Sequence, residues 1–237
     1  ELDKTITALP VQTILNGCFP QNGTVASNST YCSKITTQGN VITNILDLNL
    51  NIGGTVTAGY DLSTHYKFPS TSAGDFKLGL DWTFLKFFHQ ITPNPASTTG
   101  FTTAELGGTT TPFGGFPKQR GNVSLSWNYG DFSAAWMTQY IHEMYEGCTS
   151  ATITAGFCSN VSPLGVGNSF NRLGKTIYHD VTGSYHIDAL NTDFTLGIRN
   201  VFDKAPPTAE TAFANSFLPA DYRVPGREFY ARISVKY

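Results

Sequence analysis

The chain has 237 residues, a formal net charge of -2 and 14% charged residues, and it is rich in aromatics, with 17 Phe, 11 Tyr and 3 Trp. A net charge this small, without a local cluster of Lys and Arg, argues against a nucleic-acid partner. No window contains the ~18 consecutive apolar residues of a transmembrane helix. A membrane β-barrel stays open, because barrel strands need only about 9–11 residues each and produce a weaker hydropathy signal.

The N-terminal residues 1–40 are predicted to form an irregular, extracellular loop segment. Asp3 could cap a short helix, but Pro10 would interrupt it. The segment is rich in Asn, Ser, Thr and Gly and carries the first two cysteines of the chain, Cys18 and Cys32.

The four cysteines form two close pairs in the sequence, Cys18 with Cys32 and Cys148 with Cys158. Four cysteines allow three connectivities, and pairing within each loop-like stretch is favoured because the partners are near in sequence. Two disulfides would indicate an oxidising compartment, whereas four free thiols are the alternative. Neither pair has C-x-x-C spacing, so no zinc site is expected.

From residue 41 onward, apolar and polar residues alternate, as in β-strands whose successive side chains point to opposite faces. In the last strand, for example, Phe229, Ala231, Ile233 and Val235 share one face. The alternation predicts seven strands, at residues 41–68, 75–90, 120–129, 131–142, 175–187, 192–203 and 227–237. The polar face carries many ionisable residues: Asp61, His65, Lys67, Lys77, Asp81, Asp180, Arg199, Arg232 and Lys236.

The connections between these strands are alternately short and long. Short turns are predicted at 69–74, 130–131 and 188–192, and long loops at 91–119, 143–174 and 203–226. Outer-membrane barrels have short periplasmic turns on one rim and long extracellular loops on the other. Ionised side chains are costly inside a dry core, but a water-filled lumen removes that cost. The pattern therefore favours a transmembrane antiparallel barrel with a periplasmic C-terminus over a soluble β-sandwich.

Seven strands are too few to make a complete barrel from this chain. Their two ends would lie on opposite rims, and single-chain bacterial barrels have an even strand number. Unpaired strand edges in lipid cost several kcal/mol for each bare backbone group. We therefore expect residues 41–237 to be the C-terminal strands of a larger barrel, with the chain beginning inside an extracellular loop.

Several stretches resemble the C-terminal part of TonB-dependent outer-membrane receptors. LGIRNVFDK, at 196–204, is similar to the family's penultimate strand, and YRVPGREFYARISVKY, at 222–237, has the Gly-Arg pair and aromatic terminus of its last strand. Residues 51–61 are similar to the family's Asn-x-Gly…Gly-[Val/Ile]-[Asp/Glu] strand, with Tyr60 at the Val or Ile position. Residues 8–18 with 32–33 resemble the disulfide loop of one large subgroup.

This resemblance implies a barrel of about 22 strands with a plugged lumen in the bacterial outer membrane. It also implies import of a scarce ligand, such as an iron chelate, a cobalamin or an oligosaccharide. The implied partners are the remainder of the barrel with its plug domain, TonB acting through that plug, and outer-membrane lipid. A passive porin-like channel or a surface-binding barrel is the alternative function.

No catalytic motif was found, and the histidines lack ligand spacing, so we expect no enzyme, no cofactor and no metal site. Ligand binding is predicted for four inward-facing residues near the extracellular rim: His89, Gln139, Tyr178 and Arg199. Aromatic and amide groups can hold a sugar or a chelate by stacking and hydrogen bonding. The alternative is that they solvate the lumen or contact the plug, with Arg199 paired to a carboxylate of the plug or of a neighbouring strand.

Overall fold

A computed structural model describes residues 2–8, 10–19, 29–94, 101–213 and 216–235. In chain order, its strands are β1 (Leu2–Ala8), β2 (Ile35–Gln38), β3 (Val41–Ile45), β4 (Asn49–Lys67), β5 (Asp75–Pro93), β6 (Phe101–Glu105), β7 (Thr110–Thr111), β8 (Gly114–Gly115), β9 (Gln119–Tyr129), β10 (Phe132–Ile141), β11 (Met144–Gly147), β12 (Phe170–Leu173), β13 (Thr176–Ile187), β14 (Thr192–Arg199) and β15 (Glu228–Val235). Its helices are α1 (Val11–Cys18), α2 (Ser29–Cys32) and α3 (Ser150–Thr154), with single 3-10 turns at Val166–Asn168 and Asp188–Leu190. The predicted all-β class is confirmed, and the sheets are antiparallel.

The chain forms two compact units, Glu1–Ala58 with Phe87–Leu106, and Gly59–Lys86 with Gly107–Tyr237. In the second unit, consecutive strands pair side by side in the order β4, β5, β9, β10, β13, β14, β15. Short turns join β4 to β5, β9 to β10 and β13 to β14 in hairpins, and the turns after β9 and β13 place Gly130 and Asn191 at positive φ. Glycine and asparagine tolerate that conformation better than other residues do.

Most of the predicted strands agree with the observed ones, but two boundaries were wrong. The predicted strand at 41–68 is divided, because β3 pairs with β2 in a separate ribbon and β4 begins only at Asn49. Gly39, at a φ of 61°, makes the turn between β2 and β3. The strand predicted at 192–203 ends at Arg199, since Asn200 takes a φ of 50° and leaves the extended conformation. Lys236 and Tyr237 of the predicted last strand lie outside the described residues.

The prediction of an irregular segment over residues 1–40 was also wrong in part. β1 is a strand that pairs antiparallel with β4, from Leu2 opposite Thr55 to Ala8 opposite Asn49. The helix starts after Pro10 rather than near Asp3. Proline lacks an N–H but accepts the first helical bonds through its carbonyl, from the N–H groups of residues 13 and 14.

Both predicted disulfides are present. Cys18 at the end of α1 is bonded to Cys32 at the end of α2, and Cys148 is bonded to Cys158 in the loop between β11 and β12. No described cysteine is free. The pairing within each loop-like stretch is therefore confirmed.

The long loops of the second unit fold together into a structure that we call the loop cap, residues 107–118, 142–175, 200–213 and 216–227. The cap contains the short ribbons β7–β8 and β11–β12. Its centre is a cluster of almost fully buried side chains shared with the ends of β10 and β13: Ile141, Met144, Leu173, Tyr178, Ala209, Leu218 and Tyr222. The described part of this unit thus has its hydrophobic core among the loops.

The apolar face of the sheet in the second unit is, by contrast, largely exposed. Phe229 is 72% exposed and Ile233 is 68% exposed, and both belong to the apolar face of β15. Other large apolar residues of this face are also exposed, namely Tyr60, Leu62, Leu78, Leu125, Phe132, Trp136, Tyr185, Phe194 and Leu196. Contiguous exposed apolar surfaces beyond a few hundred Å² are unusual and mark surfaces that contact a partner or a membrane.

Among the described residues, no helix is both long enough and apolar enough to cross a membrane.

Candidate functional site

The opposite face of the sheet in the second unit carries a series of polar contacts between neighbouring strands. Cross-strand register places these residues on one face, as the alternation predicted. Hydrogen bonds of 2.6–2.8 Å join Ser63 to Asp81, Thr83 to Asp61, Thr182 to Tyr230, and Ser184 to Thr195. Polar groups that pair across strands stabilise a sheet by a few tenths of a kcal/mol to about 1 kcal/mol each.

A charge-assisted polar contact on this face joins the sheet to the loop cap. Asp180 of β13 accepts two hydrogen bonds from the guanidinium Nη1 of Arg223, at 2.6 and 2.8 Å. Gln139 of β10 accepts a third bond from Arg223 Nε at 3.1 Å, and the guanidinium lies 5.2 Å from the ring centre of Tyr178. Charge-assisted hydrogen bonds are about twice as strong as neutral ones, so this cluster fixes the end of the third long loop against the strands.

Residues 200–204 with Gly226 and Arg227, which we call the clamp, lie beside this cluster. The backbone N–H of Asn200 donates to Asp180 at 2.9 Å, and the Asn200 side chain bonds both the N–H and the carbonyl of Lys204. Asp203 accepts from the backbone N–H of Arg227 at 2.8 Å, which ties the start of the loop to its end. A Cβ on Gly226 would lie 2.5 Å from Asp203 Oδ1, so a larger residue there would displace the carboxylate that accepts from the Arg227 N–H.

A cavity of about 410 Å³ lies next to the Asp180–Arg223 pair. Its lining includes two arginines and two carboxylates, with the full set Met137, Asp180, Arg199, Asn200, Arg223, Pro225, Gly226 and Glu228. Both arginines have a carboxylate neighbour, but the Arg199 side chain is 58% exposed and that of Arg223 is 28% exposed, so Arg199 is the more accessible of the two. The arrangement can hold a polar ligand by charge-assisted hydrogen bonds to groups of either sign.

The structure brings three of the four predicted binding residues into the second unit. Gln139 and Tyr178 lie on neighbouring strands in direct register and both contact Arg223. Arg199 lines the cavity, with its Nη1 3.8 Å from Glu228 Oε2 of the adjacent strand and its guanidinium 5.1 Å from the ring centre of Tyr230. Its predicted pairing with a neighbouring-strand carboxylate is confirmed.

His89 belongs to the other unit and has a different environment. Its Nε2 lies 3.0 Å from Glu105 Oε2 on β6, and its ring stacks on Phe87 at 4.6 Å between centroids. Tyr178 is almost completely buried, so its ring packs against the Arg223 guanidinium and leaves no exposed surface for a ligand. Ligand binding by these residues stays a prediction.

Sequence reasoning missed Arg223, which organises this cluster, and Glu228. Arg223 lies within a predicted loop where no periodic pattern assigns a direction to its side chain. The sequence placed Asp180 on the polar face, but a carboxylate that faces a water-filled lumen needs no cationic partner, so Asp180 did not point to Arg223.

Two further carboxylates inside the loop cap hold loop backbone. Glu146, which is 1% exposed, accepts from the N–H groups of Glu210 and Thr211, from the Thr211 hydroxyl and from the Asn171 amide. Asp221 accepts from the N–H of Gly115 at 2.6 Å. Buried carboxylates that accept backbone N–H groups order the segments that donate to them.

Burial also changes the protonation of residues in the cap. Desolvation raises the pKa of the Asp221 carboxyl, and the Gly115 N–H and the Arg120 guanidinium, 3.9 Å away, oppose this change. Desolvation likewise raises the pKa of the neighbouring Tyr222 phenol, and the negative charge of Asp221 adds to that effect. At the surface of the cap, the hydrogen bond from Arg172 lowers the pKa of Glu143.

Within the described ranges, no three His, Cys, Asp or Glu side chains are grouped as they would be to hold a metal ion. No model of a known protein family matches the chain, and no curated protein matches it.

Proposed function

We propose that this chain is the C-terminal segment of a TonB-dependent outer-membrane transporter that imports a scarce ligand. In this proposal, the strands of the sheet form part of a barrel of about 22 strands, the exposed apolar face contacts lipid, and the polar face lines the lumen. The loop cap lies on the extracellular side and the C-terminus is periplasmic. The remainder of the barrel with its plug, and TonB acting through that plug, are the partners.

The observation that carries the proposal is the distribution of polarity across one sheet. Large apolar side chains such as Phe229 and Ile233 are exposed on one face, while the hydrogen-bonded polar residues lie on the other. A water-soluble β-sandwich has the reverse arrangement, with apolar side chains inside and polar side chains outside. The short turns at one end and the large loop cap at the other support the same reading.

The segment's similarity to the receptor family supports the transport function in particular. Residues of the similar stretch, Asn200, Asp203 and Gly226, are the ones that close the clamp at the base of the third long loop. The cavity beside Arg199 is a candidate place for polar groups of the ligand. In this proposal the chain binds and conducts its ligand and catalyses no reaction.

Matched arginine substitutions on opposite faces of β9 test the membrane orientation. Leu125 and Asn122 are both exposed, but they lie on the apolar and polar faces respectively. Arginine in contact with lipid near the bilayer midplane costs about 2–4 kcal/mol, whereas lumen positions tolerate it. In the full-length protein, Leu125→Arg should reduce the amount assembled in the outer-membrane fraction, and Asn122→Arg should not. Equal assembly of both variants, or recovery in a soluble fraction, would refute the proposal.

Transport is tested separately in cells with and without TonB. Cells that express the full-length protein should take up one of a panel of radiolabelled ferric chelates, cobalamin and oligosaccharides only when TonB is present. Uptake that continues without TonB would indicate the alternative, a passive porin-like barrel. Binding to the cell surface without uptake would indicate a surface-binding barrel.

A further inference from the structure

The apolar face of the sheet in the second unit becomes polar where its strands reach the loop cap. The pairing of β9 with β10 continues one position past the end of β10, because the His142 N–H donates to the Gln119 carbonyl at 3.0 Å. On the next strand, Lys175 directly precedes β13. Lys86 is the last residue of the apolar face of β5 within this unit. Both lysines are exposed, so a polar row with two ammonium groups borders the apolar face beside the cap.

These lysines are distinctive because the rest of the apolar face is uncharged. In the described strands β4, β5, β9, β10, β13, β14 and β15, this face holds no Asp, Glu, Lys or Arg between the row and the short turns. No ion pair joins Lys86 or Lys175 to a carboxylate of the described chain. The neighbouring Glu143 is bound by Arg172. Positive charge without a counter-charge is therefore concentrated at one end of the face.

An aromatic pair lies directly next to this row. Trp82 of β5 and Tyr140 of β10 are both opposite Gly121 of β9, which runs between them. Their rings meet over this glycine at 5.1 Å between centroids, and a Cβ on Gly121 would lie 2.3 Å from Trp82 Cε3. The Tyr140 hydroxyl contacts His142 Nδ1 at 2.8 Å. Tyrosine and tryptophan have an apolar body and a polar tip, and in membrane barrels they are concentrated at the boundary between lipid and water.

A hydrogen-bond donor on the same face lacks a partner. His179 pairs in register with Thr138, two positions along β10 from Tyr140. Trp136 Nε1 donates to His179 Nδ1 at 3.2 Å, and the Thr138 hydroxyl lies 2.9 Å from the same nitrogen. A ring nitrogen that accepts a hydrogen bond carries no proton, so the proton of the neutral ring is on Nε2. Nε2–H has no acceptor among the residues that the structure describes, and an apolar surrounding makes such a group costly.

We propose that these residues bind the headgroup of an anionic lipid. We call them the rim patch, which consists of Trp82, Lys86, Tyr140, His142, Lys175 and His179. The inference rests on the proposed function, because it requires the apolar face to lie in a membrane. The lipid belongs to the leaflet on the side of the loop cap, and its acyl chains continue along the uncharged part of the face.

Each part of the headgroup has a partner in the rim patch. The apolar stems of Lys86 and Lys175 can lie along the face while their ammonium groups stay at the level of the phosphate. His179 Nε2–H donates to an ester or phosphate oxygen, which satisfies the unpaired donor. Charge-assisted hydrogen bonds to phosphate are stronger than neutral ones, so a headgroup with net negative charge is favoured over a zwitterionic one.

The combination of features favours a lipid over a protein partner. Charged groups at the edge of a protein interface are complementary to those of the partner and commonly have both signs. Here the charge is of one sign, it occurs at one end only, and an aromatic pair separates it from a continuous apolar face. This sequence of cation, aromatic ring and apolar surface corresponds to the order of phosphate, interface and hydrocarbon in a bilayer leaflet.

Native mass spectrometry of the purified full-length protein in a non-ionic detergent tests the proposal. Phosphatidylglycerol, which is anionic, should stay bound at concentrations at least about tenfold below those needed for zwitterionic phosphatidylcholine. The double variant Lys86→Gln/Lys175→Gln should weaken retention of phosphatidylglycerol about tenfold and leave that of phosphatidylcholine unchanged. The matched control is Lys67→Gln/Lys77→Gln, which removes the same charge from the polar face near the short turn. This control should retain phosphatidylglycerol as the wild type does.

A second measurement on the wild type locates the headgroup and needs no variant to fold. Phosphatidylglycerol with a photoreactive diazirine next to its headgroup should label peptides that contain residues 82–86, 138–142 or 175–179. Labelling only of other segments would overturn the proposal, as would equal retention of the two lipids or equal loss in both double variants. Each of these results leaves the membrane orientation intact if Leu125→Arg still fails to assemble. Recovery of the wild type in a soluble fraction would instead refute the proposed function and this inference together.

Discussion

Replacement of Asp180 by Asn tests whether one ion pair holds the third long loop against the sheet. The substitution keeps the volume of the side chain and leaves an oxygen that can accept from the N–H of Asn200. It removes the negative charge that receives two hydrogen bonds from Arg223, at 2.6 and 2.8 Å. Arg223 then keeps two neutral acceptors in this cluster, Gln139 and the amide oxygen at position 180, and loses the bond to Oδ2 and the charge-assisted part of the contact.

The expected magnitude follows from the burial of the pair. Breaking a fully buried ion pair costs about 3–5 kcal/mol, and a hydrogen bond to a charged group contributes about 1.5–3 kcal/mol. Solvent screens part of this interaction, since the Asp180 side chain is 15% exposed and that of Arg223 is 28% exposed. We therefore expect a loss of about 1.5–3 kcal/mol, which increases the local opening of the loop by about ten- to a hundred-fold.

Hydrogen exchange measured by mass spectrometry on the full-length protein provides the assay. Backbone amides in residues 204–213 and 216–225 should exchange faster in Asp180→Asn, by about the factor estimated above. Asp81→Asn is the control, because Asp81 lies on the same face, is 56% exposed and accepts from Ser63 rather than from a cation of the cap. Arg223→Gln should reproduce the effect, and the double variant should add little to it. Unchanged exchange of the loop in Asp180→Asn would refute the reasoning.

Three further predictions concern packing, hydrogen bonding and protonation in the same unit. Gly197→Ala should lower the free energy of unfolding by about 1–3 kcal/mol, because the added Cβ would lie 2.2 Å from Tyr230 Cζ. Gly183→Ala is the control: its added Cβ would lie 4.0 Å from the nearest atom, so it should lower the free energy of unfolding less in the same denaturant titration. Glu146→Gln should lower the thermal midpoint, because its amide N–H₂ would face hydrogen-bond donors and leave at least one buried polar group unpaired. An unpaired buried group lowers the free energy of unfolding by about 1–3 kcal/mol, and an unchanged midpoint would contradict the assigned hydrogen bonds. Burial raises the pKa of Asp221 in the folded protein, so folding favours the protonated carboxyl. The contribution of Asp221 to stability is therefore largest below its pKa in the unfolded chain, near 3.8, and falls as the pH rises toward its pKa in the folded protein. The difference in thermal midpoint between wild type and Asp221→Asn should therefore change with pH across that interval, and a pH-independent difference would contradict the shift.

The strands and their two faces could be predicted from the sequence because their determinants are local. Alternation with a period of two assigns each side chain to a face wherever the backbone is extended. That rule placed Asp180 and Arg199 on the polar face, in agreement with the observed register. It was wrong where a local turn interrupts the pattern, as at Gly39 between β2 and β3. Strand β1 was missed because residues 1–40 were assigned to an irregular loop, in which Asp3 was considered only as the cap of a short helix that Pro10 would interrupt.

The candidate site could not be predicted to the same extent, since its contacts join residues far apart in the sequence. Arg223 reaches Asp180 across 43 positions, and Glu146 holds Thr211 across 65. Loops have no regular side-chain period, so the direction of Arg223 follows only from how three loops pack together. The disulfides were predictable because each closes a short stretch, with separations of 14 and 10 residues.

The loop cap and the sheet of the second unit differ in where their apolar side chains lie. The most deeply buried apolar side chains, such as Met144 and Leu218, lie in the loop cap, so apolar burial within the chain itself stabilises the cap. The strands, in contrast, leave residues such as Phe229 and Ile233 exposed, and in water that surface would contribute nothing to stability. In the proposed barrel, lipid covers the apolar face of the sheet, whereas the cap is stabilised by its own apolar packing and by the Cys148–Cys158 disulfide. Since Arg223 of the cap is bound to Asp180 of β13, the order of the cap is transmitted to the strand ends beside the cavity. A ligand group in that cavity would thus contact a surface whose geometry is set by the loops as much as by the sheet.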